Sequence, residues 1–258
     1  MTGPRVLRDS RDPVTTARVG CSGWLYRDWR GTFYPARLPQ RCWLPFYATR
    51  FDTVELNGTF YRLPEAARFS AWRKSVPRTF LFAMKASRFL THMKRLTEPA
   101  EPLERLFGRA RPLGSTLGPV LYQLPTAWKI NTERLESFLR SLPKRRRHAI
   151  EFRDPSWYTA EVFDLLVRFN VALCLHDMEG SATGRLRVGP FVYVRFHGVP
   201  KYAGRYATHV LNDWADWLSA EMARGRPVFA YFNNTIKAQA AEDAVRLRSA
   251  LAARPALR

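Results

Sequence analysis

The chain is poor in the residues that build metal and redox centres. Its 258 residues hold three cysteines and five histidines. Cys21, Cys42 and Cys174 show no metal or redox spacing. Two of them sit inside apolar strand-like runs, and the expectation is reduced core thiols in a cytoplasmic protein. Histidines occur in neither an HxH nor an HExxH pattern. No apolar run approaches the ~18 residues of a membrane-spanning helix. Met1–Ala17 lacks the apolar core of a signal peptide and is expected to be a flexible leader. No linker, low-complexity block or internal repeat divides the chain, so a single domain is expected over residues 18–254 with a short tail at 255–258. Acidic residues are scarce as well. Set against 42 Lys and Arg, 22 Asp and Glu leave a formal charge of +20, and the pI is ≈ 10.7. That balance favours polyanionic partners, unless it is only the solvation of an Arg-rich surface.

Aromatic residues are plentiful: 14% of the chain, with eight Trp. Trp is rarely fully buried, so part of this set should line a cleft. The strongest pattern is a rhythm of eight short β-type apolar runs, most ending in polar residues. They are Arg18–Trp24, Thr53–Phe60, Phe80–Ser87, Pro119–Leu124, His148–Arg153, Val171–Asp177, Phe191–Gly198 and Pro227–Asn234. Helical stretches fall between most of them, at Leu44–Arg50, Glu65–Ser75, Leu103–Arg109, Thr132–Ser141, Ala160–Phe169, Asn212–Arg224 and Ala238–Ala253. Such alternation predicts an α/β protein with a parallel sheet, and eight units predict a closed (β/α)8 TIM-like barrel. The interval Met178–Pro190 is short and glycine-rich, so the helix between strands six and seven is expected to be degenerate. Asn131 precedes a helix start and should cap it.

Barrel sites lie at the C-terminal strand ends, so the residues closing each run become the candidates. Alternation places Glu55, Asn57 and Thr59 on one face of strand two, opposite Val54 and Leu56. The outer face of a parallel barrel is covered by helices, so this polar set should point inward. A carboxylate there is costly unless paired. Strand five closes on Glu151 and Arg153. Glu55 and Glu151 are therefore expected as an acid/base pair, with a structural salt bridge as the competing reading. Strands three and four offer Lys85 and Gln123. Strand six ends in His176 and Asp177, strand seven places Arg195 and His197 together, and strand eight ends in Asn233 and Asn234. The loop after strand seven carries Lys201, Tyr202 and Arg205. Because barrels commonly bind phosphate after strands seven and eight, Arg195, Lys201 and Arg205 are expected as an anion cradle. Trp24 and the aromatic loop behind it could stack on a sugar or base, or anchor the loop. The run Lys144-Arg145-Arg146-Arg147 precedes strand five, which puts it on the opposite face, where a solvated turn is favoured over a nucleic-acid contact.

Glu55, Glu151, His176, Asp177 and His197 could together supply N/O ligands for a divalent metal. The thin histidine supply and the missing spacing do not favour one.

Several segments are familiar in combination. Val19-Gly20-Cys21-Ser22-Gly23-Trp24, Phe33-Tyr34-Pro35 and Phe51 through Tyr61 come first. Lys85-Ala86-Ser87 with Thr91-His92, Tyr122-Gln123-Leu124-Pro125 and Glu151-Phe152-Arg153 with Ser156-Trp157 follow. Arg195-Phe196-His197-Gly198 and Tyr231-Phe232-Asn233-Asn234-Thr235 complete the series. In this order, from about Val19 to Leu251, the chain resembles the YecE-like family, the domain of unknown function 72. The resemblance implies a TIM-like barrel with a pocket at the strand C-termini and implies no established reaction. One departure is Lys237–Ala241, which lacks the Gly and Pro expected there.

Two classes of function follow from these residues. One is a barrel protein that binds a phosphate-bearing ligand, such as a nucleotide, nucleic acid or sugar phosphate, and acts as a hydrolase or isomerase. The other is a nucleic-acid-binding protein without catalysis. The cofactor is unassigned, the location is expected to be cytoplasmic without membrane association, and the oligomeric state is open.

Overall fold

The structure, a computed structural model, describes residues 17–254 apart from 179 and 199. The expected leader and tail lie outside the described residues, except Ala17, with which the first strand begins. Eight parallel strands follow in chain order: β1 (Ala17–Cys21), β2 (Thr53–Leu56), β3 (Leu81–Lys85), β4 (Leu117–Gln123), β5 (His148–Glu151), β6 (Ala172–His176), β7 (Val192–Phe196) and β8 (Val228–Phe232). Among the described residues seven α-helices cover them: α1 (Trp43–Arg50), α2 (Ala66–Lys74), α3 (Ala100–Ala110), α4 (Thr132–Ser141), α5 (Ala160–Arg168), α6 (Thr208–Ala223) and α7 (Gln239–Ala252). Among the described residues no helix separates β6 from β7, as the glycine-rich interval predicts. Asn131 caps α4, its side chain accepting from the Arg134 N–H at 2.8 Å.

The hydrogen-bonded ladder runs β1-β8-β7-β6-β5-β4-β3-β2, which brings β1 and β2 side by side. A side chain bridges that last seam. The Tyr47 hydroxyl accepts from the Cys21 N–H at 2.9 Å and donates to the Thr53 carbonyl at 3.1 Å. Gly20 faces the same gap, where a Cβ would meet the Thr53 carbonyl oxygen at 2.3 Å. The absence of a side chain at position 20 therefore lets the barrel close.

Strand alternation separates two apolar layers. Outward residues such as Val54, Phe82, Ile150, Val194 and Phe232 pack under the helices. Inward residues, among them Ala83, Ala149, Ala172, Tyr193 and Tyr231, fill the barrel interior. The next inward layer towards the C-terminal mouth is polar. Register pairs Glu55 with Ala83, Gln123 with Glu151, and His176 with Arg195.

Three expectations from the sequence shift. β2 stops at Leu56 and gives way to a short turn at Gly58–Phe60, so Asn57 and Thr59 do not continue the inward row. β3 stops at Lys85 and runs into a single wide helical turn, Phe89–Met93. The glycine-free start of the last helix carries left-handed backbone at Lys237 (φ 52°) and Ala238 (φ 61°), a strain that glycine would not bear. Lys144–Arg147 lies in the turn before β5, at the end opposite the mouth.

Candidate functional site

The floor of the mouth is built around one guanidinium. Arg195 on β7 is 1% exposed. Its Nε and Nη2 donate to Glu55 at 3.0 to 3.1 Å, and its Nη1 donates to Glu151 at 3.0 Å. Glu55 also accepts from Tyr193 at 2.6 Å and from Ser22. Arg153 forms a second ion pair with Glu151. Burial alone would push both carboxyls up. The facing guanidiniums outweigh it and hold Glu55 below, and Glu151 well below, the usual carboxylate range. The sequence expectation of an acid/base pair thus meets two ionised, fully buried carboxylates clamped by arginines.

The two histidines beside this floor, His176 and His197, are both held below the ordinary imidazole range by burial. His197 directs Nε2 towards the Arg195 and Arg153 guanidiniums, at 3.4 and 3.3 Å. A nitrogen between two cations is an acceptor, so the ring proton lies on Nδ1, which faces Asp177 at 3.6 Å. Burial lowers the His197 pKa. His176 donates from Nε2 to the Phe152 carbonyl at 3.1 Å, and burial lowers its pKa to about 4. Asp177 also accepts from the His197 N–H at 2.6 Å and from Tyr206. Burial would raise its pKa, and those bonds prevail and lower it.

Above this floor lies a hollow of about 560 Å³ lined by Phe60, Tyr61, Lys85, Arg88, His92, Met93, Gln123 and Tyr202. Lys85 enters from the end of β3 and is 7% exposed. Its ammonium sits 4.1 Å from the centre of the Phe60 ring. Among the described residues nothing accepts a hydrogen bond from it. Burial, reinforced by Arg195, lowers its pKa to about 7 although Glu151 and Glu55 oppose the shift. His92 is likewise pushed down, by burial and by the Lys85 and Arg88 charges. A second hollow of about 410 Å³, lined in part by Trp24, Tyr26, Asn57 and Trp72, opens over β1 and β2. Tyr61 borders both. The rest of the aromatic loop is anchored. Tyr34 stacks on Trp43 at 4.7 Å, and the Trp29 indole donates to the Thr235 carbonyl at 2.6 Å.

Glu55, Lys85, Glu151, Arg153, Arg195 and His197 therefore converge, with His176, Asp177 and Gln123 at their margin. The expected cradle of Arg195, Lys201 and Arg205 is not assembled. Arg195 is consumed by two carboxylates, Arg205 is 62% exposed and paired with Glu242, and Lys201 lies over the Tyr202 ring. Asn234 turns away to Asp243 and the Gly204 carbonyl, while the Asn233 N–H donates to the Phe196 carbonyl at 2.7 Å. Strand parity does not mark Ser22, Arg88 or His92 as site residues, and Ser22 and His92 stand out only within the family motifs. The Lys85-Ala86-Ser87 and Thr91-His92 segments carried the signal, but a wide turn after a strand is invisible to strand parity. No group of His, Cys, Asp and Glu among the described residues is placed to hold a metal ion. Among those residues no helix is long and apolar enough to cross a membrane.

A family profile described as "Protein of unknown function DUF72" matches residues 18–257. The chain belongs to the DUF72 family. This is the family to which the ordered motifs pointed. A DUF72 protein of Thermotoga maritima of known structure superposes with a TM-score of 0.82 at 28% identity, covering 92% of this chain and 99% of that one. A DUF72 protein of Enterococcus faecalis shares the fold, with a TM-score of 0.78 at 21% identity over 93% of this chain and 97% of its own. The UPF0759 protein YunF of Bacillus subtilis is 27% identical in an alignment that covers 87% of this chain and 91% of that protein.

Proposed function

We propose that this DUF72 protein binds a small phosphate-bearing ligand, a nucleotide or sugar phosphate, in the hollow above Arg195. One observation carries the reading. Lys85, Arg88 and His92 line the hollow together with Gln123, and no carboxylate lies among its described lining residues. The acidic groups beneath are already neutralised by Arg195 and Arg153. An anion entering here meets donors without a competing negative charge among the described residues. The neighbouring hollow, with Trp24, Tyr26 and Trp72, offers ring faces to a base or sugar.

The geometry gives less support to a hydrolase driven by paired carboxylates, since neither Glu55 nor Glu151 has a free proton or an exposed oxygen. Isothermal titration with inorganic phosphate, a hexose phosphate and a mononucleotide tests the proposal. Arg88→Glu should weaken the best of these about tenfold or more, because it replaces an attraction with a repulsion. If no phosphate compound binds, or if Arg88→Glu leaves affinity unchanged, the hollow is not an anion site.

A further inference from the structure

Lys85 is ill-suited to be a simple anion grip. A gripping lysine is charged and either solvated or paired. This one is 7% exposed, has no accepting partner among the described residues, and rests against an aromatic ring. Among the described residues the strongest charges acting on it are Arg195 and Arg153, which oppose its charge, and Glu55 and Glu151, which favour it but are already occupied by those arginines. Arg88 and His92 face it from the wide turn after β3. Its backbone is fixed, since the Lys85 carbonyl accepts from Thr59 at 2.6 Å and the next N–H donates to the Leu121 carbonyl at 2.8 Å. The side chain thus delivers an amine to an open hollow from a rigid strand end. Desolvation among cations keeps a large share of that amine unprotonated near neutral pH, the state in which nitrogen is a nucleophile.

We propose that the Lys85 Nζ forms an imine with the carbonyl carbon of a phosphorylated aldehyde or ketone bound in this hollow. The nitrogen lone pair attacks the carbonyl carbon, and the carbonyl oxygen gains the proton that nitrogen loses, giving a carbinolamine. The hydroxyl then leaves with the second nitrogen proton as one molecule of water, and the C=N bond forms. No oxidant or reductant is required. The phosphate part of the substrate class rests on the anion-binding reading above, while the imine step stands on the amine itself.

Pyridoxal 5′-phosphate serves as the probe, being a small phosphorylated aldehyde. The full chain is incubated with it near pH 7.5, reduced with borohydride and mapped by peptide mass spectrometry. The chain has seven lysines. Lys85 should be modified on the order of tenfold ahead of the other six, none of which is enclosed in this hollow. Modification should fall as the pH drops below about 7, and should vanish in Lys85→Arg, whose guanidinium is always charged and cannot form the imine. Pyridoxal without its phosphate, and competition by inorganic phosphate, separate the two readings. Equal labelling of Lys85 by both aldehydes, with no competition, sustains the imine and rejects the phosphate site. Saturable, phosphate-competed binding that leaves Lys85 unreduced rejects the imine and leaves the anion site standing. Labelling spread evenly over all lysines also overturns the imine.

Discussion

Arg195 is the residue on which the floor depends. It neutralises Glu55 and Glu151 at once, and all three side chains are removed from water. Pairing of this kind seldom adds much net stability, because desolvation offsets attraction. Removing one partner is a different matter. Arg195→Met would leave Glu55 without a cationic partner and Glu151 with Arg153 alone. The expected loss is about 3–5 kcal/mol in urea denaturation, the cost of a stranded buried charge. Glu55→Gln should cost less, since Arg195 keeps Glu151 and the amide still accepts from Ser22 or Tyr193. If both variants unfold at the midpoint of the native chain, the network does not exist as described.

At the scale of elements, the seam between β1 and β2 shows how one hydroxyl can stand in for a strand ladder. Tyr47 comes from α1, yet it satisfies the Cys21 N–H and the Thr53 carbonyl on two strands. Tyr47→Phe keeps the ring and strands both backbone groups, so a loss of about 1–3 kcal/mol is expected, read as a lowered Tm in calorimetry. No change would show that water or strand movement replaces the bridge without cost. Elements of this size were largely legible in the sequence. Period-two apolar runs located all eight strands, and Thr132–Ser141 was placed to the residue because a cap and a helical period coincide there. Strand parity also put Glu55, Glu151 and Arg195 inside. It could not reveal that Arg195 would sit between the two carboxylates, because separation across a barrel depends on tilt and closure. It likewise overextended β2 past Leu56, where Thr59 turns back to the Leu56 and Lys85 carbonyls at 2.5 and 2.6 Å. Loop destinations were the least legible. Arg205 has the same local sequence whether it faces a ligand or pairs with Glu242.

The whole molecule should carry its buried titratable groups as an asymmetric pH profile. His148 and His176 are each held near 4 by burial, against about 6.5 when unfolded. Between those values the unfolded chain binds more protons, so stability falls as the pH drops from 6.5 towards 4, on the order of 2–3 kcal/mol for each histidine. Glu55 and Glu151 are depressed as well, and what they contribute above their unfolded pKa is lost further into acid. Lys85 acts on the other side of neutrality. Its folded pKa of about 7 lies below its usual 10.5, so the unfolded chain again binds the extra proton and stability rises with pH above 7. That rise ends where the buried groups with raised pKa values begin to titrate in the unfolded chain. Burial keeps the Cys21 and Cys174 thiols and tyrosines such as Tyr122 protonated in the fold, so their release on unfolding favours the denatured state in stronger alkali. The maximum should therefore lie on the alkaline side of neutrality, near the point where the lysine and cysteine effects cross. Chemical denaturation from pH 4 to 10 measures the profile. In Lys85→Met the rise above pH 7 should disappear and stability at pH 7 should increase by up to a few kcal/mol, because a buried amine without a partner has been replaced by an apolar side chain. A native maximum at or below pH 6, or a Lys85→Met profile parallel to the native one, would mean that the amine is solvated and not enclosed in the hollow.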